Sequence, residues 1–176
     1  MAEKPVAEKP IDRNESAVDR EIVFTRVFDA PRRMVWCAWT DPKQLVLWWG
    51  PKGFTTTIEE MDVRAGGVWK LVMHGPDGTD YPNKSMFTEV VPYERLRYRL
   101  SGGKRGGPAA QFEMTATFED DGEKTRITMR MVFASAEARD ENVRVYGSIE
   151  GGKQTLERLA EHLSARFSAK TNGGMR

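Results

Sequence analysis

The chain has 176 residues, and its 27 Lys and Arg nearly balance its 26 Asp and Glu, for a net charge of +1. That balance argues against a nucleic-acid or anionic-membrane partner, because phosphate binding draws on a concentrated basic surface, and the single cysteine, Cys37, excludes an internal disulfide and fits a reducing, cytoplasmic setting. Apolar runs such as Leu45 to Trp49 are too short to cross a membrane, and the charged, proline-bearing start does not read as a secretory signal.

Residues 1–20 contain "AEKP" twice and carry too little apolar surface to offset their ordering entropy, so they read as a disordered tail. Residues 169–176, "AKTNGGMR", read as a second tail, which leaves 21–168 as one folded domain. It opens on a strand, "EIVFTRVFDA", with Ile22, Phe24 and Phe28 on one face. Two short helices follow. Asp29 can cap the first, with Pro31 in its first turn, and Asp41 can cap the second, with Pro42 at its first position. Val35, Trp36 and Trp39 share one side of the first helix, and Leu45, Trp48 and Trp49 share one side of the second, which Gly50-Pro51 ends.

From Phe54 to Phe133 the apolar period becomes two. "FTTTIEEMDV", "VWKLVM", "SMFTEVV", "ERLRYRL", "QFEMTATFED" and "KTRITMRMVF" read as six antiparallel strands. The Arg95, Arg97 and Arg99 row alternates with Leu96, Tyr98 and Leu100, as a half-buried strand should. Gly75-Pro76-Asp77-Gly78 has the chemistry of a type I turn, and Asp121-Gly122 that of a hairpin. The chain closes on helix: Ser135 can cap its start, and Val145, Ile149, Gly152, Leu156, Leu159, Leu163 and Phe167 form one long stripe. Gly151-Gly152 inside that stripe costs about 1 kcal/mol per glycine relative to alanine. Close approach of a strand or room for a ligand would compensate.

This order predicts an α+β fold, a curved antiparallel sheet of six to seven strands wrapped around a long C-terminal helix, with two short helices after the first strand. Incomplete closure between sheet and helix would leave an apolar cavity, and nine Met and five Trp are available to line it. "FDAPRRMVWCAWTDPKQLVLWWGP", "RAGGVWKLVMHGPDGTDYPN", "EVVPYERLRY" and "SIEGGKQTLERLAEHL" resemble, in order, the homologues of the C-terminal domain of the heat-shock-protein ATPase activator. Those belong to the START-like superfamily, also called SRPBCC or polyketide-cyclase-like. The resemblance implies a helix-grip fold and, as in many members, a hydrophobic ligand cavity between sheet and helix. Relatives include lipid carriers, hormone receptors, cyclases, hydrolase-like proteins and chaperone regulators, so fold does not by itself assign function. The activator engages its chaperone through a separate N-terminal domain, where this chain has only the charged tail. A chaperone partner therefore ranks behind a small hydrophobic ligand.

Candidate chemistry is sparse. Two distant histidines and one cysteine make no zinc ligand set, no serine sits in a nucleophile-elbow motif, and "GGKRGG" at 102–107 lacks the spacing and following helix of a phosphate loop. No metal or cofactor is expected. His74, Glu89 and Tyr98 remain as possible acids or bases of a cyclase- or hydrolase-type enzyme. By parity His74 lies opposite Trp69, Leu71 and Met73, so it points outward or sits at the strand end, and the face of Glu89 depends on whether a bulge intervenes. The leading expectation is a binder whose pocket is lined by Trp48, Trp49, Phe54, Trp69, Leu71, Met73, Tyr98, Phe112, Met114, Met129, Met131, Ile149, Gly152 and Leu156.

Overall fold

A computed structural model describes residues 17–172; most of the two segments read as tails, 1–16 and 173–176, lies outside the described residues. A single 3-10 turn at Ala17–Arg20 leads into β1 (Glu21–Phe28), followed by α1 (Arg32–Thr40) and α2 (Pro42–Leu45). Six strands come next: β2 (Thr55–Met61), β3 (Val68–His74), β4 (Asp80–Val91), β5 (Arg95–Gly102), β6 (Ala110–Asp121) and β7 (Lys124–Val132). Two helices close the chain, α3 (Ala136–Tyr146) and α4 (Ser148–Asn172), the latter running past the boundary read at 168.

The seven strands form one curved antiparallel sheet in the order β1-β7-β6-β5-β4-β3-β2. Strands β2 to β7 are a meander, and β1 adds to its far edge beside β7, with Ile22 opposite Met131 and Phe24 opposite Met129. Inward residues of β5, β6 and β7, including Leu96, Tyr98, Met114, Phe118, Ile127 and Met129, are buried beneath α1 and α4. Tight turns set the register. Gly78 takes φ +86° and donates to the Gly75 carbonyl at 3.1 Å across Pro76-Asp77, while Asp121 pairs with Lys124 around Gly122. The shifts at Ile58/Glu60 and Phe87/Glu89 are bulges, each of which bends its strand.

Two local expectations need correction. Asp29 does not cap α1; the helix starts after Pro31, whose fixed φ suits a helix entry, and no side chain caps it. Asp41 does cap α2, accepting from the Lys43 N–H at 3.0 Å, and Ser135 caps α3 through the Ala138 N–H at 3.0 Å. The closing helix is not continuous: Gly147 adopts φ +58°, a left-handed C-cap that ends α3 before α4 begins. The stripe from Val145 to Phe167 was legible, but a single αL residue leaves no trace in apolar spacing.

Helix α4 packs on β1 and α1, with Leu156, Leu159 and Leu163 buried. Its glycines are explained by proximity. A Cβ at Gly152 would stand 2.4 Å from Phe24 Cζ of β1, and one at Gly151 would meet Pro51 Cγ at 3.4 Å. Side chains tie the middle of the helix down. Arg158 Nη1 donates to the carbonyls of Trp49, Gly50 and Pro51 at 3.3, 2.9 and 3.2 Å, and the His162 ring meets Gln44 Oε1 at 3.1 Å. Among the described residues no helix is long and apolar enough to cross a membrane.

Candidate functional site

Seven strands bent around α4 cannot be filled everywhere by side chains, and a cavity of about 380 Å³ remains between the sheet, the turn after α2 and the α3–α4 junction. That volume falls in the range of small-molecule sites. The inward parity of β3 supplies Trp69, Leu71 and Met73, and that of β5 to β7 supplies Tyr98, Phe112, Met114, Met129 and Met131. Trp49 and Phe54 enter from the turn after α2, and Gly152 from α4, beside Phe24 of β1.

Three residues expected on the wall stand elsewhere. Trp48 is fully buried in the helix layer, where its indole N–H donates to the Ala38 carbonyl at 3.0 Å and its ring meets Trp39 edge-on at 5.1 Å. Ile149 lies on the outer side of the first turn of α4, 41 % exposed. Leu156, one turn beyond Gly152, is enclosed in the core below the cavity. A 3.6-residue stripe is wider than the strip of helix that faces a cavity, so its margins go to core and solvent.

The sequence reading missed the polar part of the wall: Tyr81, Asn83 and Ser85 from β4, Lys104 from the β5–β6 loop, and Asn142, Tyr146, Ser148 and Thr155 from α3 and α4. The signal was present. Tyr81, Asn83 and Ser85 share the parity of buried Phe87, but the segment "SMFTEVV" starts only at Ser85, whereas β4 runs from Asp80. Asn142 is buried and accepts from the Ser148 hydroxyl, and the Tyr146 hydroxyl donates to the Pro108 carbonyl while accepting from the Lys104 N–H at 3.0 Å.

The three acid–base candidates are not brought together. His74 ends β3 on the opposite face from Met73, with Nδ1 2.7 Å from Asp80 Oδ1 and Nε2 2.9 Å from Thr57 Oγ1. That pairing belongs to three neighbouring strands, β2, β3 and β4, and His74 is not on the cavity wall. Glu89 follows the β4 bulge and faces outward. Its Oε1 accepts from Arg95 Nη2 at 2.6 Å, and the Arg95 hydrogen bond, aided by the charges of Arg95 and Arg97, holds its carboxyl below the ordinary range. Only Tyr98 lies at the cavity. It is fully buried, its hydroxyl has no partner among the described residues, and burial pushes its phenol well above the usual range, so it keeps its proton.

Tyr98→Phe therefore removes no hydrogen bond and relieves a desolvated hydroxyl. The expected result in chemical denaturation is unchanged stability or a gain of up to about 1 kcal/mol. A loss larger than that would show the hydroxyl to be bonded. No group of three or more His, Cys, Asp or Glu among the described residues is arranged to hold a metal.

Comparison with known proteins supports the same architecture. The family description "Activator of Hsp90 ATPase homolog 1-like protein" matches residues 29–164. A protein from Arthrobacter aurescens solved by NMR is 27% identical, with a TM-score of 0.78 over 86% of this chain and 90% of that one. Protein Ms6760 from Mycobacterium smegmatis is also 27% identical, with a TM-score of 0.77 over 86% and 95%. Protein CV1439 from Chromobacterium violaceum is 27% identical, with a TM-score of 0.70 over 82% and 96%. No curated protein matches the chain. The match over most of the folded domain and the helix-grip architecture agree: the chain belongs to the Activator of Hsp90 ATPase homolog 1-like family.

Proposed function

We propose that the protein is a cytoplasmic binder of a small hydrophobic molecule, held between the sheet and α4. The observation that carries this reading is the cavity of about 380 Å³ with a wall of aromatic and methionine side chains. Methionines suit such a wall because an unbranched thioether adjusts its shape to what it touches. A family fold compatible with both binding and cyclase-like chemistry leaves the choice to the site. Here His74 and Glu89 are engaged outside the cavity, and the Tyr98 hydroxyl has no partner among the described residues with which to exchange a proton, which favours binding over acid–base catalysis.

A thermal-shift screen of apolar small molecules tests the reading, since a ligand of the native state raises Tm. Trp69 meets Trp49 at 5.0 Å and Tyr98 at 5.4 Å and forms part of the cavity wall. Trp69→Ala is expected to weaken binding of a hit about tenfold, from the contact area lost. Met73→Trp, at a half-buried wall position, should occlude the space and abolish the shift while the protein stays folded. If a broad apolar set leaves Tm unmoved, the binder reading fails.

A further inference from the structure

Four of the polar residues of the wall stand together. Asn83 pairs across the sheet with Gly102, next to the loop that carries Lys104. The Tyr81 ring lies 6.4 Å from that of Tyr146, whose hydroxyl accepts from the Lys104 N–H. Tyr81, Asn83, Lys104 and Tyr146 thus form one polar end of the cavity, while Trp69, Tyr98 and the β6–β7 methionines belong to the largely apolar remainder. The loop fits there because residue 103 is glycine: at φ +121°, a Cβ would stand 2.6 Å from the Tyr146 hydroxyl and 2.7 Å from the Pro108 carbonyl.

Lys104 is the one residue of the described wall that carries a formal charge, and no Asp or Glu lines that wall. It is exposed at the mouth and in no ion pair among the described residues. Asp77, on the β3–β4 turn, feels its field but is off the wall and accepts instead from the Thr79 N–H at 3.0 Å.

From this we infer that the ligand is an apolar molecule bearing a single carboxylate, seated with its body among the aromatic and methionine side chains and its charge at Lys104. The inference rests on the binder reading above. One cation among neutral hydrogen-bonding groups matches one negative charge, whereas a dianionic phosphate would bring a second charge with no counterpart on the wall. Tyr81, Asn83 and Tyr146 offer neutral partners for the second oxygen.

Isothermal titration with decanoate and with decan-1-ol, which share a chain and differ in charge, tests it. The wild type is expected to bind decanoate about threefold to fivefold more tightly than the alcohol, a preference that shrinks as salt rises, because the ion pair is at the surface. Lys104→Met should erase the preference, and Lys104→Glu should reverse it. Equal binding of both by the wild type overturns the carboxylate assignment alone, as does a preference that survives in Lys104→Met. Binding of neither overturns the assignment together with the binder reading.

Discussion

Trp39→Ala is expected to lower the stability of the protein by about 3–5 kcal/mol, the range for removing a large aromatic from a packed core. Trp39 is buried at the centre of the helix layer and meets Trp48 at 5.1 Å, Phe118 at 5.5 Å and Trp49 at 6.0 Å, all edge-to-face. Such contacts add to the transfer energy of the ring. Its indole N–H has no partner among the described residues, so no hydrogen bond is lost and the effect is one of packing. Because Trp49 leans on Trp39 and also forms part of the cavity wall, the variant should weaken ligand binding as well. Denaturant midpoints with near-UV circular dichroism measure the loss; a change under about 1 kcal/mol would mean that the cluster closes over the gap.

The paired substitutions Gly151→Ala and Gly152→Ala are expected to have opposite signs. Each gains about 1 kcal/mol from helix propensity. At Gly151 the new methyl would make ordinary contact with Pro51, so the gain survives. At Gly152 it would stand 2.4 Å from Phe24 Cζ and 2.8 Å from two other ring carbons, so the ring must move, and Phe24 is itself a buried residue of edge strand β1. Overpacking of that kind costs about 1–3 kcal/mol, which exceeds the propensity gain. Thermal unfolding of both variants decides the matter. Adding Phe24→Leu to Gly152→Ala should recover part of the loss, and a stabilising Gly152→Ala on its own would refute the close-approach account.

The two glycines also show how far a sequence can be read. Their cost in a helix was visible at once, and so was the need for compensation, but not the identity of the compensating partner. Phe24 lies far away in sequence, and only the placement of β1 beside β7 brings it to α4. Strand parity placed Trp69, Leu71, Met73, Tyr98, Met114, Met129 and Met131 on the concave face because period two survives any curvature of the sheet. Helix periodicity did less well, setting Ile149 and Leu156 beside Gly152 on a cavity wall that α4 instead lines with Ser148, Gly151, Gly152 and Thr155. Trp48 was misplaced for a related reason: α2 is a single turn, too short for its spacing to define a face. Lys104 was passed over because a glycine-rich loop without a phosphate-loop spacing has no pattern from which a contact with Tyr146 can be deduced. Asn142 and Ser148 lie on either side of the αL residue that divides the helices, so no helical wheel drawn through the segment could set them side by side.

That division at Gly147 gives the covering layer two parts anchored to different elements. Helix α4 is stapled at Arg158 and His162 to the backbone after α2 and to Gln44. Helix α3 is joined instead to the β5–β6 loop by the Tyr146 hydroxyl, and the Ser148 hydroxyl bonds to Asn142 across the left-handed residue that divides the two helices. The cover of the cavity is therefore secured through the turn after α2 at one part and through the β5–β6 loop at the other.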